Sequence, residues 1–71
     1  MYQWKIVLHM SSMQALTGYY EGPEKNSGDV ANRVIAGASN EFFGLYGDKQ
    51  KTRNLLVKKG EIVAADISEW R

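Results

Sequence analysis

The chain contains no cysteine, one proline and one histidine, and its nine basic side chains are nearly balanced by eight acidic ones. Each shortage excludes something. Without cysteine there is no disulfide, and that usage suits a reducing compartment, so a cytoplasmic location is expected. A zinc site needs several Cys or His ligands, and His9 stands alone. The acidic residues are scattered and no loop alternates Asp or Asn ligands, so neither a calcium nor a magnesium site is expected. A formal charge of +1 leaves no electrostatic footprint for nucleic acid. No run approaches the roughly 20 apolar residues that span a bilayer. The start, Met1-Tyr2-Gln3-Trp4-Lys5, has neither the basic region nor the apolar run of a signal peptide.

What remains is short and aromatic. Seventy-one residues make one domain, 1–71. A domain of that size buries only about 60% of the surface its unfolded chain exposes. Such domains lean on a disulfide, a metal or a partner, and the partner is the staple left here. Two Trp, four Tyr and two Phe also exceed what one tiny core needs if all point inward. A homo-oligomer is therefore expected.

Tyr2–Met10 alternates, with Tyr2, Trp4, Ile6, Leu8 and Met10 on one face and Gln3, Lys5, Val7 and His9 on the other, which predicts a half-buried strand. After the polar break Ser11-Ser12, Met13–Glu21 reads as its partner. Leu16 and Tyr20 share a face there, with Gly18 between them at a bend or close approach. Gly22-Pro23 stops the strand. A polar approach loop, Glu21–Asp29, then leads to the only helix-patterned stretch, Gly28–Ser39. Ser27 or Asp29 can cap it. Val30, Val34, Ile35 and Ala38 make its apolar stripe, and Gly37 suits a C-terminal cap. Three further strands follow: Glu41–Gly47, Asn54–Lys58 and Ile62–Ser68.

The predicted fold is α+β and mostly β: a small five-stranded, barrel-like antiparallel sheet in the order β-β-α-β-β-β, its helix inserted between strands 2 and 3. Such a sheet hides its edges by curling. The block from Ile6 to Gly22 resembles the opening hairpin of Sm-like proteins, a strand pair ending in an apolar-x-Gly bend. The block from Leu55 to Ile67 resembles their last two strands, joined by a very short turn at Lys59-Gly60-Glu61. The layout as a whole resembles SH3-like and Sm-like small β-barrels. Sm-like proteins carry their helix before the first strand, whereas here it follows the second, and their RNA-reading loop pattern is not matched. The resemblance therefore implies a fold and no RNA contacts.

Candidate sites are few. Lys25-Asn26-Ser27-Gly28 precedes a helix N-terminus, where free N–H groups attract phosphate, although Asp29 already supplies a negative charge there. Arg53, Lys58 and Lys59, with Lys49 and Lys51 nearby and Tyr46 for stacking, would suit an anion; as a plain alternative they are solubilising charges on exposed edges. His9 has no nucleophile or orienting carboxylate at recognisable spacing. The adjacent pairs Tyr19-Tyr20 and Phe42-Phe43 must split between two faces of a strand, so Tyr19 and Phe42, with Trp4 and Trp70, are interface candidates.

No nucleophile–base pair, paired carboxylates or metal set points to an enzyme, and no cofactor is implied. The expectation is a small oligomeric binding module: a protein-interaction or inhibitory adaptor of the kind small phage and mobile-element genes encode. A second expectation is sequestration of a small anionic, nucleotide-type ligand at subunit junctions by the approach loop, an aromatic and a basic residue. A third is Sm-like nucleic-acid binding, which the near-neutral charge disfavours. Nothing in the sequence points to a membrane.

Overall fold

The computed structural model describes residues 1–37 and 40–70. The alternation over the first ten residues becomes strand β1 (Tyr2–Met10), with Trp4, Ile6 and Leu8 turned into the core. It pairs antiparallel with β2 (Ala15–Gly22), setting Leu8 opposite Leu16, Ile6 opposite Gly18 and Trp4 opposite Tyr20. Met13 adopts a left-handed backbone, φ 69°, in the intervening turn, and its N–H bonds the Met10 carbonyl at 2.9 Å. Strands β3 (Phe42–Tyr46) and β4 (Asn54–Lys58) form a second hairpin, and β5 (Ile62–Glu69) pairs with the free side of β1.

The sheet order is β4-β3-β2-β1-β5. Its two outermost strands are consecutive in sequence and joined only by the 3₁₀ turn Lys59–Glu61. Four strand spacings across a flat sheet measure about 19 Å, whereas four Cα steps reach at most about 14 Å. The sheet must therefore curl, and a barrel-like wall around one small core results. Trp4, Ile6, Leu8, Val30, Leu45 and Val57 fill that core. Tyr20, Phe43, Leu55, Ile62, Ala65 and Ile67 pack around them.

Gly18 is what allows the curl at β2. A Cβ at that position would sit 2.6 Å from Leu45 Cδ1, so the leucine of β3 folds over the bare backbone. At β5 a bulge does similar work. His9 pairs with Ala64 and Met10 with Ile62, so Val63 is skipped. The extra residue changes phase and lets Ile62, Ala65 and Ile67 all pack on the core, while Val63 is left 73% exposed.

The helix lies between β2 and β3 and buries Val30. It differs from expectation in three respects. Its cap is Asn26, not Ser27 or Asp29: the Asn26 side-chain oxygen accepts from the Asp29 N–H at 2.9 Å. Only Ser27–Val30 is α-helical (α1), and Ala31–Ala36 winds more widely as a π-helix. Gly37 stays right-handed at φ −80°, so it makes no left-handed cap. Val34 and Ile35 pack on the core as the stripe predicts; Ala38 and Ser39 lie outside the described residues. No helix among the described residues is long and apolar enough to cross a membrane.

Candidate functional site

Of the paired seams in the wall, the weakest is between β2 and β3. Those strands share one ladder pair, Tyr19 opposite Tyr46. Continuing that register would set Glu21 opposite Gly44, yet the two are not paired. The strands diverge because β2 stays with β1 as far as Tyr2↔Gly22, while β3 follows β4. A cleft of about 320 Å³ opens there, lined by Tyr19, Tyr20, Glu21, Gly44, Leu45, Tyr46 and Asn54.

Backbone phase determines what the cleft offers. The Gly47 N–H bonds the Arg53 carbonyl at 2.9 Å, and the Lys59 N–H bonds the Glu41 carbonyl at 2.8 Å. In the register of this hairpin, odd-numbered residues of β3 and β4 therefore bond each other, and even-numbered ones point their N–H and C=O away. Gly44 thus aims its backbone groups toward β2. The Met10 N–H bonds the Gln14 carbonyl at 2.9 Å, so in β2 the even-numbered residues bond β1 and Glu21 aims its groups toward β3. The cleft combines aromatic faces with backbone donors and acceptors.

Its one charged wall residue is neutralised. Glu21 lies 2.7 Å from Lys51 Nζ and accepts from Gln3 Nε2 at 3.2 Å. These bonds, the Lys51 one foremost, hold its carboxyl below the ordinary range. Lys51 comes from the β3–β4 loop, where it is left-handed at φ 63°. Asp48 organises that loop by accepting from the Thr52 N–H at 2.8 Å, the Arg53 N–H at 3.2 Å and the Thr52 hydroxyl. The Thr52 hydroxyl is the main reason its carboxyl is also held low. Beside the cleft, Trp70 meets Tyr19 edge-on, ring centroids 5.7 Å apart. The Lys49 ammonium lies 5.1 Å from the Trp70 ring centre, and the Trp70 backbone N–H donates to the Gln3 carbonyl at 3.2 Å.

Of the residues singled out from sequence, Tyr19 and Tyr46 meet in this cleft. Phe42 is exposed on the outer face of β3 while Phe43 turns inward, and Tyr19 and Tyr20 divide likewise. Trp4 is a correction: it is 3% exposed, and its indole N–H donates to the Glu24 carbonyl at 3.3 Å, so it is core and not surface. Alternation places Trp4 on the packed face in any case; only the surplus of aromatic residues suggests an interface. Trp70 packs on its own chain.

The anion-binding set does not assemble within one chain. Asn26 is occupied as the helix cap, and Lys25 is exposed. Ser27 faces a shallow groove shared with Gly28, Ala31, Ala65, Asp66 and Ile67, whose only charge is negative. Arg53 donates to the Gly47 carbonyl at 2.8 Å, Lys58 lies 3.4 Å from Glu41, and Lys59 donates to the Ala36 carbonyl at 3.3 Å. Each of these three cations has a partner within its own fold.

Two constellations escaped the sequence reading. His9 Nε2 lies 3.0 Å from Asp66 Oδ2, a pairing that needs the β1–β5 register to be seen. Glu24, in what reads as a polar loop, is buried and accepts from the Tyr20 hydroxyl at 2.8 Å, with Arg33 Nε 3.3 Å from its other oxygen. Its position directly after Gly22-Pro23, where the chain must turn back over the barrel, was the one available signal. Among the described residues no three His, Cys, Asp or Glu side chains converge as metal ligands do. No family model matches the chain, and neither a curated protein nor a solved structure matches it.

Proposed function

We propose that the chain is a non-catalytic binding module, working as a homo-oligomer, that engages a protein partner by holding an extended polypeptide segment in the β2–β3 cleft. The observation that carries this reading is the single ladder pair between those strands. Beyond it, Glu21 and Gly44 offer strand-type backbone groups beside the rings of Tyr19, Tyr20 and Tyr46. An extended segment supplies matching N–H and C=O groups, and tyrosine rings give large contact area at low entropic cost. An inhibitory adaptor would act in the same way, by occupying its partner's segment.

A second reading is favoured by one feature. Three tyrosines and Asn54 around about 320 Å³ also suit a planar nucleotide-type base. Lys51 pairs with Glu21 on the wall, so the cleft offers an anionic ligand no surplus positive charge, and this counts against the reading. Sm-like nucleic-acid binding ranks third, because the net charge of +1 supplies little attraction.

The test is selection of peptides from a random display library, followed by affinity measurement on the wild type and Tyr46→Ala. The reading expects selected peptides to lose at least about tenfold in affinity, the scale of one lost aromatic contact. Peptides that bind Tyr46→Ala as well as wild type would refute it. Thermal shift with a nucleotide panel addresses the second reading, since a ligand of the native state raises the Tm by mass action.

A further inference from the structure

Among the described residues, the outer edge of β4 carries no ladder. Strand β4 ends the sheet and pairs only with β3 among the described residues. The other end, β5, is different: the start of the helix lies over Ala65–Ile67, where Ser27, Gly28 and Ala31 share a groove with them. By the phase established above, Asn54, Leu56 and Lys58 point their N–H and C=O outward from β4, and Val57 and Leu55 bond β3. At the centre of this bare edge Leu56 is 70% exposed, because its neighbour across the ladder is Gly44, which has no side chain to cover it. A bare apolar strand edge recruits another strand unless something blocks it.

We propose that this edge joins two copies of the chain, β4 against β4, antiparallel about a twofold axis at Leu56. The sequence of the edge is self-complementary in that register. Leu56 meets Leu56 of the second copy, Asn54 meets Lys58, and Leu55 meets Val57. Parity agrees as well: an axis through a residue sets even-numbered residues opposite even-numbered ones, so the outward-pointing Asn54, Leu56 and Lys58 face their counterparts. Both outer pairs then exchange N–H···O=C bonds in the same phase. The only charge on the edge, Lys58, is set opposite a neutral asparagine, and the two Lys58 lie at opposite ends of the ladder. A parallel arrangement in register would oppose them directly. A second copy is thus the occupant that the edge fits, and a closed dimer uses the edge up. This deepens the self-association in the proposed function and is independent of what the cleft holds.

Light scattering on the intact chain at about 100 μM is the measurement, a concentration that detects even weak pairing. The wild type is expected at twice the 8.0 kDa of one chain. Leu56→Glu and Leu56→Lys, each opposing like charges across the axis, are expected at the mass of one chain with unchanged circular dichroism, since Leu56 is not in the core. Mixing the two variants is expected to restore a two-chain species. A wild-type monomer, a larger ring, or a dimer that persists in both variants would overturn the proposal. So would separate monomers in the mixture. Loss of peptide binding in Tyr46→Ala with the dimer intact would concern the cleft alone.

Discussion

The hydroxyl of Tyr20 donates a 2.8 Å hydrogen bond to Oε1 of Glu24, and that bond ties the end of β2 to the loop that leads into the helix. The other carboxylate oxygen lies 3.3 Å from Arg33 Nε. Gly22 stands between them without a side chain; a Cβ there would lie 2.5 Å from the Tyr20 oxygen and on top of Glu24 Oε1. A buried carboxylate is costly unless its hydrogen bonds are made. Tyr20→Phe is therefore expected to destabilise the fold by about 1–3 kcal/mol, as for removing one partner of a buried group. Denaturant melts measure it.

The same pair gives an alkaline signature. Burial first, and then the hydrogen bond to Glu24, raise the Tyr20 pKa above its ordinary value. A raised pKa means the neutral form is favoured in the fold. Its contribution is fully present below about pH 10 and is lost as pH rises through the folded value. Melts of wild type and Tyr20→Phe should converge as pH rises above about 10, because the variant lacks the group that titrates.

Asp48 gives the acid counterpart. Its carboxyl is held low, chiefly by the Thr52 hydroxyl. The contribution is present above the unfolded value and is lost as pH falls below about 4, toward the lower folded value. Asp48→Asn should flatten that part of the acid melt. By loosening the loop that carries Lys51, it should also release Glu21 on the cleft wall.

Met13 occupies a left-handed position with its side chain 96% exposed. The three-residue hairpin loop it closes prefers glycine or asparagine there. Met13→Gly should raise stability by about 0.5–1 kcal/mol, the relief of left-handed strain less the added chain entropy of glycine. A lower Tm would contradict the turn geometry.

Gly18→Ala tests the curl itself. The added methyl meets Leu45 at 2.6 Å, so overpacking should cost about 1–3 kcal/mol. An unchanged melting midpoint would show that β3 does not fold over β2 at that point.

Much of the scaffold is legible in the sequence because it is local. The alternation of Tyr2–Met10 and the Leu55-Leu56-Val57 centre of β4 give those strands their observed bounds. The splitting of Tyr19-Tyr20 and Phe42-Phe43 follows from strand geometry alone. What the sequence hides depends on residues far apart. The Val63 bulge is visible only against His9 and Met10, and the His9–Asp66 contact only through the β1–β5 register. The cleft is harder still, since it is the absence of pairing between two segments that each read as ordinary strands. Tyr46 was singled out for stacking and does line it; Glu21, Gly44 and Asn54 carried no signal. The charge of the basic residues is readable from sequence, while the carbonyl and carboxylate partners of Arg53, Lys58 and Lys59 are not.

Amide hydrogen exchange at Gly44 and Leu45 tests most directly whether the β2–β3 seam is open. Leu45 is in phase to bond Leu55 across the β3–β4 ladder, whereas Gly44 faces the cleft. In the free protein, Gly44 should exchange at least about 100-fold faster than Leu45, as an open site does beside a paired one. It should become protected when a selected peptide binds. Equal protection of the two amides in the free protein would mean that β2 and β3 are zipped together and that the cleft does not exist.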